Sequence, residues 1–173
     1  MSMVYRLLHQ EDAKTYRALR LQSYQDDPLA FSESFKDEQA RPLSAFQEEV
    51  QILGQPEEWF VLGAFEDQRL IGFVKFRRDQ RSKARHKSMV HAMYVAPTHR
   101  KRGVGQALME HLIDRAKKLS GLEQVHLWVL HANGITAANF YQNLGFQQQG
   151  PLVKDDLKWQ DQYIDAAYMV LRL

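Results

Sequence analysis

Two glycines and three cations lie together in the sequence RKRGVG, residues 100–105. An apolar segment ending at Val95 precedes them, and an amphipathic segment follows. A strand that enters a glycine turn and then a helix leaves backbone N–H groups without acceptors at the positive end of the helix dipole. Glycines let the backbone approach a ligand closely, and the cations add positive charge. This pattern favours the binding of an anion, and a pyrophosphate suits it best.

Two common phosphate-binding motifs do not match this segment. The nucleoside triphosphate motif GxxxxGK[ST] is absent from the chain. The dinucleotide motif GxGxxG fails because Leu108 stands where its third glycine belongs. ATP, GTP and NAD are therefore poor candidates. Taken alone, the segment would be explained well enough as a glycine turn with solvent-exposed cations.

Histidine and tyrosine side chains are further candidates for chemistry, because the chain has no cysteine. The absence of cysteine excludes disulfides, thiolate metal sites and a thiol nucleophile. The seven histidines form no His-x-x-x-His pair on a predicted helix, so we expect no metal site. An imidazole titrates near neutral pH and is a common proton acceptor in catalysis.

Hydrophobic periodicity predicts the helices and strands that must position these residues. The predicted strands span residues 4–8, 59–65, 69–78, 88–95, 123–130 and 163–173. The predicted helices span residues 11–24, 43–53, 105–119 and 136–145. This order of elements indicates an α/β (α+β) fold in which helices flank a mixed sheet. We expect residues 1–173 to form a single domain.

The bulk composition is that of an ordinary globular domain. With 173 residues, 45% hydrophobic and 25% charged, the chain suits one hydrophobic core and is not disordered. A net charge of +2 is too small to imply binding to nucleic acid or a membrane by itself. The chain shows no secretion signal and no run of about 18 apolar residues, so we expect a cytoplasmic protein without membrane contact.

A basic segment, RRDQRSKARHK, spans residues 77–87 and holds six Lys or Arg and one Asp. A solvated loop between two strands is the ordinary explanation. The alternative is binding to a nucleic acid or an acidic partner. The lack of interleaved aromatic residues counts against a nucleic acid.

Residues 93–118, MYVAPTHRKRGVGQALMEHLIDRAKK, resemble the acetyl-CoA signature of the GNAT superfamily of N-acetyltransferases. In that signature an apolar strand with Val and then x-Pro leads to [RQ]-x-x-G-x-[GA], which opens an amphipathic helix. The core of the pattern falls here on Arg100, Gly103 and Gly105. The two other cations occupy variable places in the signature.

Residues 127–146, LWVLHANGITAANFYQNLGF, resemble the second signature of the same family. That signature is a strand, an Asn, and a helix whose Tyr lies four residues before Gly-Phe. Tyr141, Gly145 and Phe146 meet the last part of it. Two signatures in the family's order are far more specific than either alone.

The resemblance implies a single-domain GNAT-like fold with a mixed, mostly antiparallel central sheet, and acetyl-CoA as co-substrate. In the family the strand before the glycine turn pairs with the pantetheine arm, and the turn amides take the pyrophosphate. The implied binding residues are Met93, Tyr94, Val95, Arg100, Lys101, Arg102, Gly103, Val104, Gly105 and Asn133. Asn133 lies eight residues before Tyr141, where seven is common in the family, so its contact stays open.

An acceptor amine must lose a proton, because a free alkylamine has a pKa of about 10.4. His91 lies two residues before Met93, so we expect both to share the strand face that the resemblance turns toward the acetyl group. The arylalkylamine N-acetyltransferases carry a histidine here, whereas the protein-lysine branch has a Glu at the place of Met89. A half-buried strand histidine without a catalytic role fits equally well. His126 and His131 are less well placed.

Coenzyme A departs as a thiolate, and the resemblance makes Tyr141 the acid that protonates it. The N–H of Met93 or of Tyr94 is the candidate donor to the tetrahedral oxyanion. Because the chain has no cysteine, direct attack by the amine in a ternary complex is the consistent mechanism.

The resulting hypothesis is an acetyl-CoA-dependent N-acetyltransferase that acts on a primary amine of a small molecule or polypeptide. The alternative is a non-catalytic acyl-CoA-binding or regulatory module of the same fold. We expect the acceptor between residues 31–35 and a loop at residues 154–159. A homodimer is an option, because members of the family often dimerise.

Overall fold

The elements follow one another along the chain largely as the periodicity predicts. The computed structural model describes residues 2–51, 58–132, 134 and 136–173. The helices are α1 Ala13–Asp26, α2 Phe35–Ala40, α3 Leu43–Val50, α4 Val104–Ala116 and α5 Ala138–Asn143. The strands are β1 Met3–Leu7, β2 Trp59–Glu66, β3 Arg69–Arg78, β4 Lys87–Val95, β5 Gln124–His131, β6 Gln147–Gln148, β7 Val153–Trp159 and β8 Gln162–Arg172.

The described strands form a single sheet in the order β1-β2-β3-β4-β5-β8-β6, and β7 also pairs with β8. The pairing of β4 with β5 is parallel, and α4 makes the crossover between them. The other pairs are antiparallel. The prediction of a mixed, mostly antiparallel sheet flanked by helices is confirmed.

Each face of the sheet has its own apolar core. Helix α4 packs on one face, which we call the α4 face, through Leu108, Met109 and Leu112. Helices α1 and α3 pack on the opposite face, the α1 face, through residues such as Tyr16 and Phe46. The sheet therefore separates the N-terminal helices from α4.

Two elements differ from the sequence-based expectation. Helix α2 was not predicted; a capping box begins it, in which the Asp37 amide donates to Ser34 Oγ at 3.2 Å. The predicted loop at residues 154–159 is strand β7, which pairs with β8. Most β7 side chains are exposed, so its sequence lacks the alternation that reveals a half-buried strand. The helix predicted at 43–53 is α3, which ends at Val50. Gln51 follows the helix, and residues 52–53 lie outside the described residues.

A network of buried charges joins α1, α2 and α3 to strand β3. Its members are Tyr16, Arg20, Glu38, Arg41, Glu49 and Lys75. The Glu49 carboxylate accepts from Tyr16 Oη at 3.1 Å, lies 3.1 Å from Lys75 Nζ and pairs with Arg41. Glu38 pairs with Arg20 at 3.0 Å. Because these carboxylates are almost fully buried, their cations compensate the loss of hydration.

Strands β4 and β5 pair over only part of their length. Their register runs from Lys87 opposite Gln124 to Val90 opposite Leu127. Among the described residues, no pair joins 91–95 of β4 to 128–131 of β5. A gap therefore opens in the middle of the sheet at the carboxyl ends of its two parallel strands.

A β-bulge in β4 lies at the start of this gap. Ala92 is opposite Lys75 and Val90 is opposite Phe76, so His91 is the extra residue. A bulge breaks the strict alternation of side chains. Val90 accordingly packs in the core of the α4 face, whereas Ala92 packs in the core of the α1 face.

Candidate active site

Two cavities open beside the gap between β4 and β5. The first cavity, of about 480 Å³, lies between residues 26–30, which begin at the last residue of α1, and the end of β5. The second cavity, of about 510 Å³, lies between residues 30–33, β4 and residues 156–157 of β7. Met93 and Tyr141 line both of them. These two side chains therefore mark the place where the cavities meet.

The glycine turn at the start of α4 presents backbone donors. Gly103 is the N-cap residue and has φ +79°. The Ala107 amide donates to the Gly103 carbonyl at 3.0 Å and is the first intrahelical donor, so the N–H groups of residues 104–106 have no acceptor within the helix. Their N–H groups lie at the positive end of a helix of 13 residues. This arrangement suits an anion such as a pyrophosphate.

Gly103→Ala is expected to lower the free energy of unfolding by about 1 kcal/mol, because an L side chain at positive φ is strained. A Cβ at Gly103 meets nothing within 4 Å, so backbone strain is the cause. Gly105→Ala is the matched control: its Cβ lies 3.0 Å from the flexible end of Met93, and it has no positive φ. Urea unfolding of both variants measures the difference; equal losses would contradict the role of φ.

The cations of the turn are mostly committed to neighbouring carboxylates. Arg100 Nε donates to the Val95 carbonyl at 2.8 Å, and its guanidinium pairs with Asp27. Arg102 donates to Glu66 at 2.7 Å. Lys101 is exposed, with φ +59° and no polar partner in the described part of the chain. The turn amides are thus better placed than the guanidinium groups to bind an anion.

The backbone of β4 exposes polar groups to the gap. The Ala96 amide donates to the Ile71 carbonyl of β3 at 2.9 Å. Backbone groups alternate between the two neighbours of a strand, so Tyr94 also faces β3 while Met93 and Val95 face the gap. Of the two N–H groups predicted as oxyanion donors, the geometry therefore favours that of Met93.

Tyr141 lies on α5 and reaches the junction of the cavities. Its hydroxyl is 3.7 Å from the sulfur of Met93. The ring makes edge contacts with Phe140 and Phe146. Burial raises the pKa of the Tyr141 phenol to about 12, so the hydroxyl is protonated at neutral pH. A protonated phenol at this point can serve as a proton donor.

His91 lies beside the second cavity, but it does not share a face with Met93, contrary to the expectation from the sequence. Met93 packs against the core of the α4 face. The charges that act on His91 belong to the α1 face, and the bulge is the physical reason for the separation. Burial, then Lys75 and Arg77, lowers the pKa of His91, and this outweighs the opposing effect of Glu33 and Glu49. The imidazole is therefore neutral at pH 7 and able to accept a proton.

The other two histidines considered as bases line neither cavity. His126 is buried, contacts Tyr168 and lies 2.8 Å from the Gln124 side-chain oxygen. Burial, then Lys87 and His86, lowers the pKa of His126 to about 4. His131 lies 3.2 Å from Thr136 Oγ1.

Sequence reasoning missed several side chains that line these cavities. Trp128 lines both and is 48% exposed, an unusual exposure for an aromatic strand residue. Glu33 and Asp156 add two carboxylates to the second cavity. Alternation along β5 could have marked Trp128 as facing away from the core. Glu33 and Asp156 lie in the ranges 31–35 and 154–159, between which the sequence placed the acceptor, and the structure brings both ranges to the second cavity; the sequence did not single out the two acids themselves.

Three expectations concern features outside these cavities. Asn133 lies outside the described residues, so its predicted contact stays a prediction. In residues 2–51, 58–132, 134 and 136–173, no three His, Asp or Glu side chains are grouped to hold a metal ion. No helix in the same ranges has the length and apolar character needed to span a membrane.

Comparison with known proteins agrees with the fold and identifies the family. The family model described as "Acetyltransferase (GNAT) family" matches residues 15–146. An L-methionine sulfoximine/L-methionine sulfone acetyltransferase of Salmonella typhimurium is 25% identical over 129 residues, which are 75% of this chain and 71% of that protein.

Two solved structures show the same fold over almost their whole length. A GNAT-family acetyltransferase from Streptococcus pneumoniae has a TM-score of 0.86 at 20% identity, covering 99% of this chain and 100% of that one. The putative acetyltransferase yncA from Salmonella typhimurium, solved with its cofactor acetyl-CoA, has a TM-score of 0.77 at 19% identity, covering 100% and 95%. With the family model matching residues on both sides of the gap, the chain belongs to the GNAT family of acetyltransferases.

Proposed function

We propose that this acetyltransferase moves the acetyl group of acetyl-CoA to a primary amine of a small molecule or polypeptide, by direct attack in a ternary complex. The observation that carries the proposal is the meeting of two cavities at Met93 and the protonated hydroxyl of Tyr141. One cavity can take the thioester and the other the amine. The Salmonella relative named for methionine sulfoximine supports a small acceptor.

The residues of the chain fit acetyl-CoA as a substrate. The N–H groups of residues 104–106 suit its pyrophosphate. The free edge of β4 at Met93 and Val95 offers backbone groups to the pantetheine arm. Arg100 contributes indirectly, because it holds the end of α1 against the end of β4 through Asp27.

The chemistry needs one proton acceptor, one oxyanion donor and one proton donor. His91 accepts a proton from the ammonium form of the acceptor, directly or through water, so that a neutral nitrogen attacks the thioester carbonyl. The Met93 N–H donates to the oxyanion that forms. As the C–S bond breaks, Tyr141 gives its proton to the departing thiolate, and the attacking nitrogen loses its extra proton, which returns to the Tyr141 phenolate through water. The products are an acetylated amine and CoA thiol.

A thiol-release assay with acetyl-CoA over a panel of primary amines tests the proposal, with mass detection of the acetylated product. L-Methionine sulfoximine belongs in the panel because of the Salmonella relative. Calorimetry with CoA measures binding separately. Binding of CoA without acetylation of any amine would overturn the proposal and favour the non-catalytic module.

His91→Gln is expected to remove the acidic limb of the kcat/KM profile and to lower kcat/KM by about tenfold or more near pH 7. The lowered pKa of His91 places the wild-type limb below its ordinary value, because the imidazole must be neutral to accept a proton. Rates over a range of pH values provide the measurement. His111→Gln, on α4 and stacked on Tyr5, is the matched control. An unaltered limb in His91→Gln would identify water or another group as the base.

A further inference from the structure

A third cavity, of about 470 Å³, adjoins the second one and rests on the same strand. The two cavities share Met89 and His91. The inference below rests on the proposed function, because it assigns this third cavity to part of the amine acceptor. It also gives a role to the basic segment at residues 77–87.

The charges lining the third cavity are mostly positive. The charged residues are Arg77, Arg78, Asp79, Arg81 and Lys87. Asp79 pairs with Arg81. Arg78 is buried and donates to the carbonyls of Arg85 at 2.6 Å and Ser120 at 2.8 Å. Some cations of the basic segment thus have partners within the protein, either a carboxylate or backbone carbonyls.

The two other cations that line the third cavity are Arg77 and Lys87. Within the described ranges, neither forms an ion pair with a carboxylate. The Arg77 guanidinium lies 5.0 Å from the centre of the Trp59 ring, which orders it. Arg77 is opposite Met89 in the register and so diagonal to Lys87, about 7–8 Å away between Cα atoms. Two long side chains at this separation can contact one anion.

The second cavity has the opposite character. Its charged side chains are Glu33 and Asp156, with His91 beside them. These carboxylates attract an ammonium group before it loses its proton. A molecule that spans the two cavities therefore meets negative charge where the amine must enter and positive charge farther along β4.

The span between these regions sets the size of the acceptor. Met93 lies four positions after Met89, which is at most about 13 Å of extended strand. The anionic group is thus several bonds from the amine.

We propose that the acceptor carries a carboxylate, phosphate or sulfonate, which binds to Arg77 and Lys87 while its amine lies beside His91. The specificity of the enzyme is then for an amine with a distant negative charge. A simple alkylamine leaves two cations without a partner and is a poor substrate.

Matched acceptors that differ only in charge test this proposal. The carboxylate probes are 4-aminobutanoate and 6-aminohexanoate, each compared with its carboxamide; O-phosphoethanolamine is compared with ethanolamine. We expect kcat/KM to be about tenfold higher for the charged member of at least one pair. The ratio should fall to about one in Arg77→Gln and in Lys87→Gln. Lys118→Gln, an exposed cation beyond the end of α4, should retain the wild-type ratio.

A second measurement does not depend on turnover. Arginine Nε–H signals are recorded by ¹⁵N–¹H correlation in the presence of CoA, and the Arg77 signal is assigned by its loss in Arg77→Gln. Titration with 6-aminohexanoate and O-phosphoethanolamine should shift that signal, whereas hexylamine should not. The charged probe that shifts it distinguishes a carboxylate from a phosphate acceptor.

The outcomes separate this inference from the proposed function. Acetylation without a charge preference, and without a shift of the Arg77 signal, overturns the inference and leaves the function. A shift of the Arg77 signal without acetylation of any amine supports the anion site and overturns the function. Neither shift nor acetylation overturns both. Salt-dependent binding of an oligonucleotide that Arg77→Gln abolishes, with a ratio near one for the amines, assigns the cations to a nucleic acid instead.

Discussion

Tyr141→Phe is expected to lower kcat about 100-fold, with a much smaller change in the KM for acetyl-CoA. The phenylalanine keeps the ring and its contacts with Phe140 and Phe146, so the cavity wall stays in place. What disappears is the proton donor 3.7 Å from the Met93 sulfur. Without it, CoA must depart as an unprotonated thiolate. Steady-state kinetics with varied acetyl-CoA measure both constants.

Tyr163→Phe is the matched control for this experiment. Tyr163 is 56% exposed on β8 and lines neither of the two cavities beside the gap. Its kinetics should equal those of the wild-type protein. An unchanged kcat in Tyr141→Phe would remove Tyr141 from the acid role. Because the pKa of Tyr141 is raised to about 12, the wild-type enzyme should show no alkaline loss of this donor near neutral pH.

Glu49→Gln is expected to lower the free energy of unfolding by about 3 kcal/mol, the largest effect on stability that we predict. The substitution keeps the shape of the side chain but leaves Lys75 and Arg41 without the buried charge that compensates them. Arg41 keeps its ion pair with Glu38 in this variant. The expected loss of stability is therefore at the lower end of the range for breaking a buried ion pair. Urea unfolding at pH 7 provides the measurement.

The pH dependence of this loss has a defined sign. Burial alone raises the pKa of Glu49, but Lys75 and Arg41 outweigh it and hold the pKa below its ordinary value. A carboxylate with a depressed pKa contributes stability above its unfolded pKa and loses that contribution as the pH falls through its folded pKa. The difference between wild type and Glu49→Gln should therefore shrink below about pH 4. Glu48→Gln, at the exposed neighbouring position on α3, should cost little at any pH.

The sequence predicted those parts of the molecule that depend on local pattern. Helix α4 followed from its apolar spacing, and the turn before it from Gly103, whose φ of +79° suits a glycine. The two motifs led to the GNAT family, which the family model confirms. The strands of the β2–β3 hairpin followed from their aromatic and β-branched residues.

The parts that could not be predicted depend on residues far apart in the chain. The bulge at His91 exists only in the register between β3 and β4, and no residue type in β4 reveals it. The partner of Arg100 is Asp27, which only the fold brings to it. The charge network around Glu49 joins three helices to a strand, and its members look in the sequence like ordinary surface charges.

The side chains of strand β4 change faces at the bulge. The residues before and after the bulge therefore contribute to different parts of the molecule. Met89 and His91 line the second and third cavities, whereas Met93 and Val95 pack against the core of the α4 face. Under the proposed function, a substitution at Met89 or Arg77 would alter which amine fits without touching the turn amides proposed to bind the pyrophosphate. On this proposal, single substitutions would change the acceptor preference while leaving the binding of acetyl-CoA as it is.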